Sequence, residues 1–418
     1  MRLREYRAAV RNRGFVLMLV GRSVSWFGNA LAPMAVVFAV LDLGLSVSAV
    51  SVAVLARSVP QLAFVLVGGA LADRPKPRRL LVLGSMVAAC SQACLALLLV
   101  HGVATLGMIA ALSAVNGASA ALAGPAAGSL FRALVAEGDW HASSVLDRSG
   151  QQLGLMLGMS TGGVLIGWAG SGVAIAVDAA TFVVATVCYL FMRPPAEIAS
   201  RAQPRLTSQL AQGFGFLRQR LWLIAVMLQS LMTSVTVACC LQVIAAVVAD
   251  ATFGRAGLGV ASSLQTAGAL VGLLLAGVVP AARRLPGPIL LGGLVGLPVL
   301  VLGVGPALLG GPLALLLVYA VSMLIMGAAT GIAGVWRNLF MLQNVDADMM
   351  GRVTSYSLVA SVGGLSLGEA LAGPLTSFLG THGALILVFV VVALVALWAA
   401  TRREVRAVVY TVPDPVRS

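Results

Sequence analysis

Twelve apolar stretches, each close to the length that crosses a lipid bilayer, run through this chain and are separated by charged or Pro- and Gly-rich joints. A bilayer core of about 30 Å needs roughly 20 apolar residues per helix at 1.5 Å rise. The stretches lie approximately at 15–42, 48–72, 80–100, 104–126, 145–169, 172–192, 222–249, 258–279, 288–304, 312–336, 353–378 and 383–400. Only 10% of the 418 residues are charged and 60% are apolar, against about 25% charged in soluble domains. The mean hydropathy is +1.00, so most of the surface must meet something other than water. That excludes a soluble enzyme, a disordered chain and a nucleic-acid module. The five cysteines, Cys90, Cys94, Cys188, Cys239 and Cys240, all lie in apolar runs, which is no disulfide framework.

The basic residues give this helix count an independent check, because cytoplasmic joints hold an excess of Lys and Arg. With the N-terminus inside, all but three of the 27 Lys and Arg residues fall in inner segments. The three are Arg255, in an outer joint, and Arg22 and Arg57, within spans. The net charge of +13 therefore reads as topology, with both termini cytoplasmic. The first stretch is read as a retained helix, since it is longer than a signal h-region and contains Arg22 and Asn29.

The longest polar joint sits at the middle of the sequence, contains Pro194, Pro195 and Pro204, and carries an amphipathic piece around Gln209 to Gln219. It divides the chain into an N-terminal six-helix bundle (1–192), a cytoplasmic linker (193–221), a C-terminal six-helix bundle (222–404) and a tail (405–418). Features recur about 209 residues apart, as internal duplication requires. Leu130 and Phe131 match Leu339 and Phe340. Gly154, Gly158 and Gly163 match Gly364, Gly368 and Gly373, and Gly69 before one basic joint matches Gly277 before another. Six plus six helices in parallel repeat is a transporter architecture, with a substrate site expected near the midplane where the halves meet.

The joint from Gly69 to Arg79 reads Gly-Ala-Leu-Ala-Asp-Arg-Pro-Lys-Pro-Arg-Arg. It resembles the signature between helices two and three of the major facilitator superfamily, Gly-x-Leu-Ala-Asp-Arg-x-Gly-Arg-Lys, and the resemblance covers nearly the whole chain. Lys76 and Pro77 replace the second glycine and its neighbour, so the turn is made differently. The resemblance implies a cytoplasmic gate of Gly69, Asp73, Arg74, Arg78 and Arg352, with Asp73 capping the N-terminus of helix eleven, where unpaired N–H groups meet a carboxylate. A solvated loop charge is the plainer reading of Asp73. In span five Gly154, Gly158, Gly162 and Gly163 resemble the antiporter pattern Gly-x-x-x-Gly-Pro-x-x-Gly-Gly, with Met159 in place of proline. Small residues let helices touch backbone to backbone, which serves either a sealed substrate path or ordinary packing. Gly21 to Asn29, Arg57 to Gln61 and Asp178 to Phe182 look like the siderophore and macrolide exporter subgroup.

A charge within hydrocarbon costs at least about 2.5–3.5 kcal/mol, so Arg22, Arg57, Asp178 and Glu369 need reasons. Arg57 and Glu369 each lie roughly 14 Å from the outer end of their stretch. They are expected to face one another or a shared cavity, a static interhelical ion pair being the alternative. Glu369 is also the leading candidate for proton coupling, because hydrocarbon disfavours the charged form of a carboxyl group. Asp178 joins this proton-coupling and ion-pair set, with a structural hydrogen bond as its other reading. Arg22, Ser25 and Asn29 share one helix face at i, i+3 and i+7. With Trp26 and Gln61 they are candidates for a substrate cavity, together with Gln229, Thr233 and Gln265 of the C-terminal half. Trp336 and Phe340 are further aromatic candidates, packing being their ordinary use.

His101, His141 and His382 lie near span ends, and there is no HExxH motif or Walker-type loop. No metal, cofactor or catalytic residue is expected. The expectation is therefore an all-α membrane protein of twelve transmembrane helices in two pseudo-symmetric bundles. It would be a monomer in the cell membrane that exports a small, largely apolar molecule of drug, macrolide or siderophore type in exchange for protons. A proton-coupled importer of the same superfamily, and a non-transporting receptor or channel, remain as alternatives.

Overall fold

The computed structural model describes residues 11–68, 77–135, 140–192, 219–279, 284–345 and 347–409, and these are helical almost throughout. In chain order the helices are α1 (Arg13–Asp42), α2 (Val47–Gly68), α3 (Pro77–Val100), α4 (Leu106–Leu134), α5 (Trp140–Ala169) and α6 (Ser171–Phe191). In the second half α7 spans Leu221–Ala251, α8 Gly254–Val278, α9 Pro286–Leu308 and α10 Pro312–Asn344. The remaining stretch, Ala347–Thr401, is one run of helical hydrogen bonding broken at Gly380, whose φ of 68° is left-handed. Glycine alone enters that region without steric cost, so it divides the run into α11 (347–379) and α12 (381–401). A short α13 (Arg403–Ala407) follows.

Twelve of these helices match the apolar stretches of the sequence. Trp168, Val278 and Phe378, the most exposed of the large apolar side chains among the described residues, project outward as a lipid-facing surface requires. Two helices are irregular inside. The middle of α7, Val237–Ile244, is a π-helix, and α9 is interrupted between Gly293 and Gly296. Local capping explains other boundaries. The Asn12 side chain accepts from Phe15 N at 3.2 Å to start α1 and donates to the Leu134 carbonyl at 2.6 Å, tying it to the end of α4. Thr105 caps α4 by accepting from Met108 N.

The chain divides into two compact units. One comprises residues up to Arg205 together with Gly254–Ser263, and the other Leu206–Phe253 with Leu264–Ser418. The first unit is closed at one end by Phe15, Met18, Leu81, Leu130, Tyr189 and Met192, which join α1, α3, α4 and α6. The second has a comparable cluster of Trp222, Val226, Ile289, Phe340, Val353 and Val405.

Glycine contacts display the duplication. Gly154 and Gly158 of α5 lie against the carbonyls of Ser23 and Phe27 on α1, and Gly364 and Gly368 of α11 lie against those of Leu231 and Val235 on α7. Gly117 of α4 meets the Arg57 carbonyl, and Gly327 of α10 meets that of Gln265. The same crossings are built in both units by glycines at corresponding positions, each admitting a backbone where a Cβ would collide. Gly162 packs on Leu31, and Gly163 touches Gly259 on the part of α8 that belongs to the first unit.

Candidate functional site

The first unit concentrates polar side chains inside its helices. On α1, Asn29 donates to the Ser25 carbonyl at 2.8 Å and to Ser25 Oγ at 3.3 Å, and its Oδ1 accepts from Arg57 Nη2 at 2.6 Å. Asp178 of α6 is 0% exposed. Its Oδ2 accepts from Gln92 Nε2 at 2.6 Å, and its own carbonyl accepts from Thr181 Oγ1 at 2.7 Å. The Asp178 Oδ1 accepts no hydrogen bond and lies against Gly28, one step from Asn29. The Arg57 guanidinium is the positive charge that acts on Asp178. Thus α1, α2, α3 and α6 contribute two hydrogen-bonded pairs, Asn29 with Arg57 and Gln92 with Asp178, the second fully buried. A carboxyl group withdrawn from water is tolerated only with such partners.

A second pair lies further along α1. Arg22 Nη1 meets Asp147 Oδ2 of α5 at 2.6 Å, and Gln151 Nε2 donates to the same oxygen at 3.1 Å. Arg22 is therefore held by α5, while Ser25 and Asn29 of the same stripe are joined to each other and to Arg57. A third group sits at the ends of α1 and α8. Arg255 Nη2 meets Asp42 Oδ1 at 2.5 Å, Ser171 donates to Asp42 Oδ2 at 3.2 Å, and the Arg255 guanidinium lies 4.6 Å from the Phe38 ring centroid.

In the second unit, Glu369 is 4% exposed on α11, beside Gly368 where that helix meets α7. Gln229 is buried with neither amide atom hydrogen-bonded, and its side chain packs on Gly292 of α9. Gln265 and Thr233 are half-buried. Trp336 and Phe340 are buried, Phe340 in the apolar cluster at the helix ends, so they pack. Trp26 is 37% exposed, and Gln61 is half-buried on α2.

Of the residues expected to form a cytoplasmic gate, Gly69, Asp73 and Arg74 lie outside the described residues, as do the side chain of Arg352, residues 209–218 of the linker and the chain from 410 onward. Arg78 is described. It donates to the carbonyls of Tyr189 and Leu190 at the end of α6, where a cation meets the unpaired carbonyls and negative dipole of a helix C-terminus.

Sequence reasoning overlooked Gln92, Asp147, Gln151 and the Asp42–Arg255 pair. Gln92 carries no charge and so escaped a search for expensive residues. Asp147 stands beside Arg148 near the start of a span, which reads as a joint, and Asp42 stands at the end of one.

The family model of the Major Facilitator Superfamily matches residues 18–367. The chain belongs to the major facilitator superfamily. Solved structures agree on the fold. The nucleoside transporter NupG superposes with a TM-score of 0.74 at 12% identity, covering 93% of this chain and 98% of its own. A bacterial homologue of the human lysosomal transporter Spinster, in an inward-facing and unoccupied conformation, gives 0.71 at 14% identity, covering 98% and 99%. A POT family transporter in complex with a thioalcohol-conjugated peptide gives 0.68 at 14% identity, covering 92% and 95%. None of the curated proteins compared with the chain matches it. This superfamily member is thus a multi-pass membrane transporter of small molecules.

Proposed function

We propose that this superfamily member is a proton-coupled exporter of a small, largely apolar molecule of drug, macrolide or siderophore type, working by alternating access in the cell membrane. Both termini lie on the cytoplasmic side and the working unit is a monomer. The observation that carries this reading is the fully buried carboxyl of Asp178, set among Arg57, Asn29 and Gln92 inside membrane helices. A transporter driven by protons needs a carboxyl group that can take up a proton away from bulk water, and whose charge is balanced by groups that move with the cycle.

Glu369 is the leading carboxyl for proton coupling, and Arg57 and Asp178 complete the proton-coupling and ion-pair set. Arg22, Ser25, Trp26, Asn29, Gln61, Gln229, Thr233 and Gln265 supply the polar contacts of a substrate cavity. The gate residues Gly69, Asp73, Arg74, Arg78 and Arg352 hold the cytoplasmic end. Export is favoured by the resemblance of Gly154, Gly158, Gly162 and Gly163 to the antiporter pattern; the first three set α5 on α1 and Gly163 sets it on α8.

The test is the purified protein in liposomes under an imposed pH gradient, screened against dyes, macrolides and siderophores. Solute should move against protons in the wild type. Glu369→Gln should abolish pH-driven movement while solute exchange in the absence of a gradient persists. Full proton-coupled transport by Glu369→Gln would remove Glu369 from the mechanism, and movement of solute in the same direction as protons would make the protein an importer.

A further inference from the structure

Arg337 stands near the Asn344 end of α10, where a basic residue is expected from topology alone. Topology places charges in water, and Arg13, Arg79, Arg402 and Arg403 are exposed accordingly. Arg337 is half-buried. Arg22, Arg57, Arg78 and Arg255 are half-buried too, and each is matched, to Asp147, Asn29, the α6 carbonyls and Asp42 respectively. Among the described residues, Arg337 has neither a hydrogen bond nor an ion pair. A cation partly withdrawn from water with no counter-charge is costly unless something else supplies that charge.

The helix face around it is open. Gly334, one turn earlier, has nothing within 4 Å of the place a Cβ would occupy. Gly128, which the match of Leu130 and Phe131 with Leu339 and Phe340 pairs with Arg337, is open in the same way. Side chains in a helix lean toward its N-terminus and cover the preceding turn. The open space beside Gly334 lies one turn from Arg337 on the same helix, within reach of a long side chain. Thr330, Ala333, Gly334, Phe340, Met341 and Asn344 fall within about 60° of it around the helix at 100° per residue, so its neighbours on α10 include no acid.

From this we infer that Arg337 and the open face over Gly334 form a binding site for an anionic headgroup, a carboxylate or phosphate carried on an apolar body. The guanidinium fork matches either group with two parallel hydrogen bonds. This rests on the transporter reading and narrows its substrate class from apolar molecules to amphiphilic acids. The same chemistry is offered by an anionic lipid headgroup.

The probe is 11-(dansylamino)undecanoic acid, with its methyl ester as the uncharged control, titrated by fluorescence into the full-length protein in uncharged detergent. Wild type should bind the acid at least about tenfold more tightly than the ester, with the preference weakening as salt rises. Arg337→Gln should bind both alike, and Arg337→Lys should keep part of the preference because it keeps the charge. Phosphatidylglycerol added to the micelles identifies the source. If it weakens acid binding to wild type but not to Arg337→Gln, the headgroup is a lipid's, and if it has no effect the site serves the solute. Equal affinity of wild type for acid and ester, or an undiminished preference in Arg337→Gln, overturns the site. Either result leaves proton-driven transport by the wild type, measured separately, standing.

Discussion

At the scale of single residues, the buried pair of Asp178 with Gln92 makes the sharpest demands. Asp178→Asn keeps the shape of the side chain but removes the negative charge facing Arg57. It should abolish proton-driven transport and leave the protein folded, as read by monodispersity in size-exclusion chromatography. Asp178→Leu removes the acceptor as well and leaves the Gln92 amide buried without it, at a cost of about 1–3 kcal/mol, visible as a lower unfolding midpoint. Arg22 and Asp147 behave as a unit. Their side chains are 21% and 11% exposed, so Asp147 would be stranded by Arg22→Gln, at about 3 kcal/mol, the low end for breaking a buried pair. The double variant Arg22→Gln with Asp147→Asn should be more stable than Arg22→Gln alone. If the two single losses simply add in a double-mutant cycle, the pair is not coupled. That Arg22, Arg57, Asp178 and Glu369 are charged and within spans was legible in the sequence. Which partner each one finds was not, because Asn29, Arg57, Gln92 and Asp178 come from four helices whose rotations no local pattern sets.

Among helices, close crossings made by glycine hold each unit together. The pattern Gly154, Gly158, Gly162 and Gly163 could be read directly from the chain, but its partners could not. The first two admit α1, Gly162 meets Leu31, and Gly163 meets Gly259 of α8. Gly158→Leu should force α5 off α1 and cost about 1–3 kcal/mol through overpacking. Gly334→Ala, on an open face, should change the unfolding midpoint little. A thermal-shift series in one detergent would rank them, and equal losses at both positions would contradict the crossings described. The π-helical segment Val237–Ile244 had no sequence signal. Hydrogen bonding in that register widens the helix by one residue, and nothing in the composition of Val237 to Ile244 distinguishes it from an ordinary apolar helix.

For the whole molecule, α8 is the element whose membership is divided, since its first residues pack in the first unit and the rest in the second. Its attachment to the first unit runs through Asp42–Arg255, the Phe38 ring and the Gly163–Gly259 contact. Asp42 is 41% exposed, so the ion pair itself adds only about 0–1 kcal/mol and is screened by salt. Its effect should appear in transport kinetics. Asp42→Arg sets two like charges together and should slow turnover, and the exchange Asp42→Arg with Arg255→Asp should restore it. Persistent loss in the exchanged variant would show that Arg255 matters through Phe38 and not through Asp42. Cysteines placed at either terminus should react with a membrane-impermeant thiol reagent only after the inner face is opened, as expected from the distribution of Arg.

The linear sequence sufficed for the helix count, the duplication and the superfamily, because each rests on apolar length, charge alternation or a fixed spacing along the chain. Hydrocarbon allows few alternatives to a helix once a stretch is long enough, so composition nearly dictates the elements. Tertiary structure alone decided the rest: that Arg22 is held by Asp147, that Asp178 is reached by Gln92, and that Arg337 is half-buried beside open space. Those outcomes depend on which faces of separate helices turn toward each other. Packing of small side chains sets those faces, and residues far apart in the sequence meet only after it has.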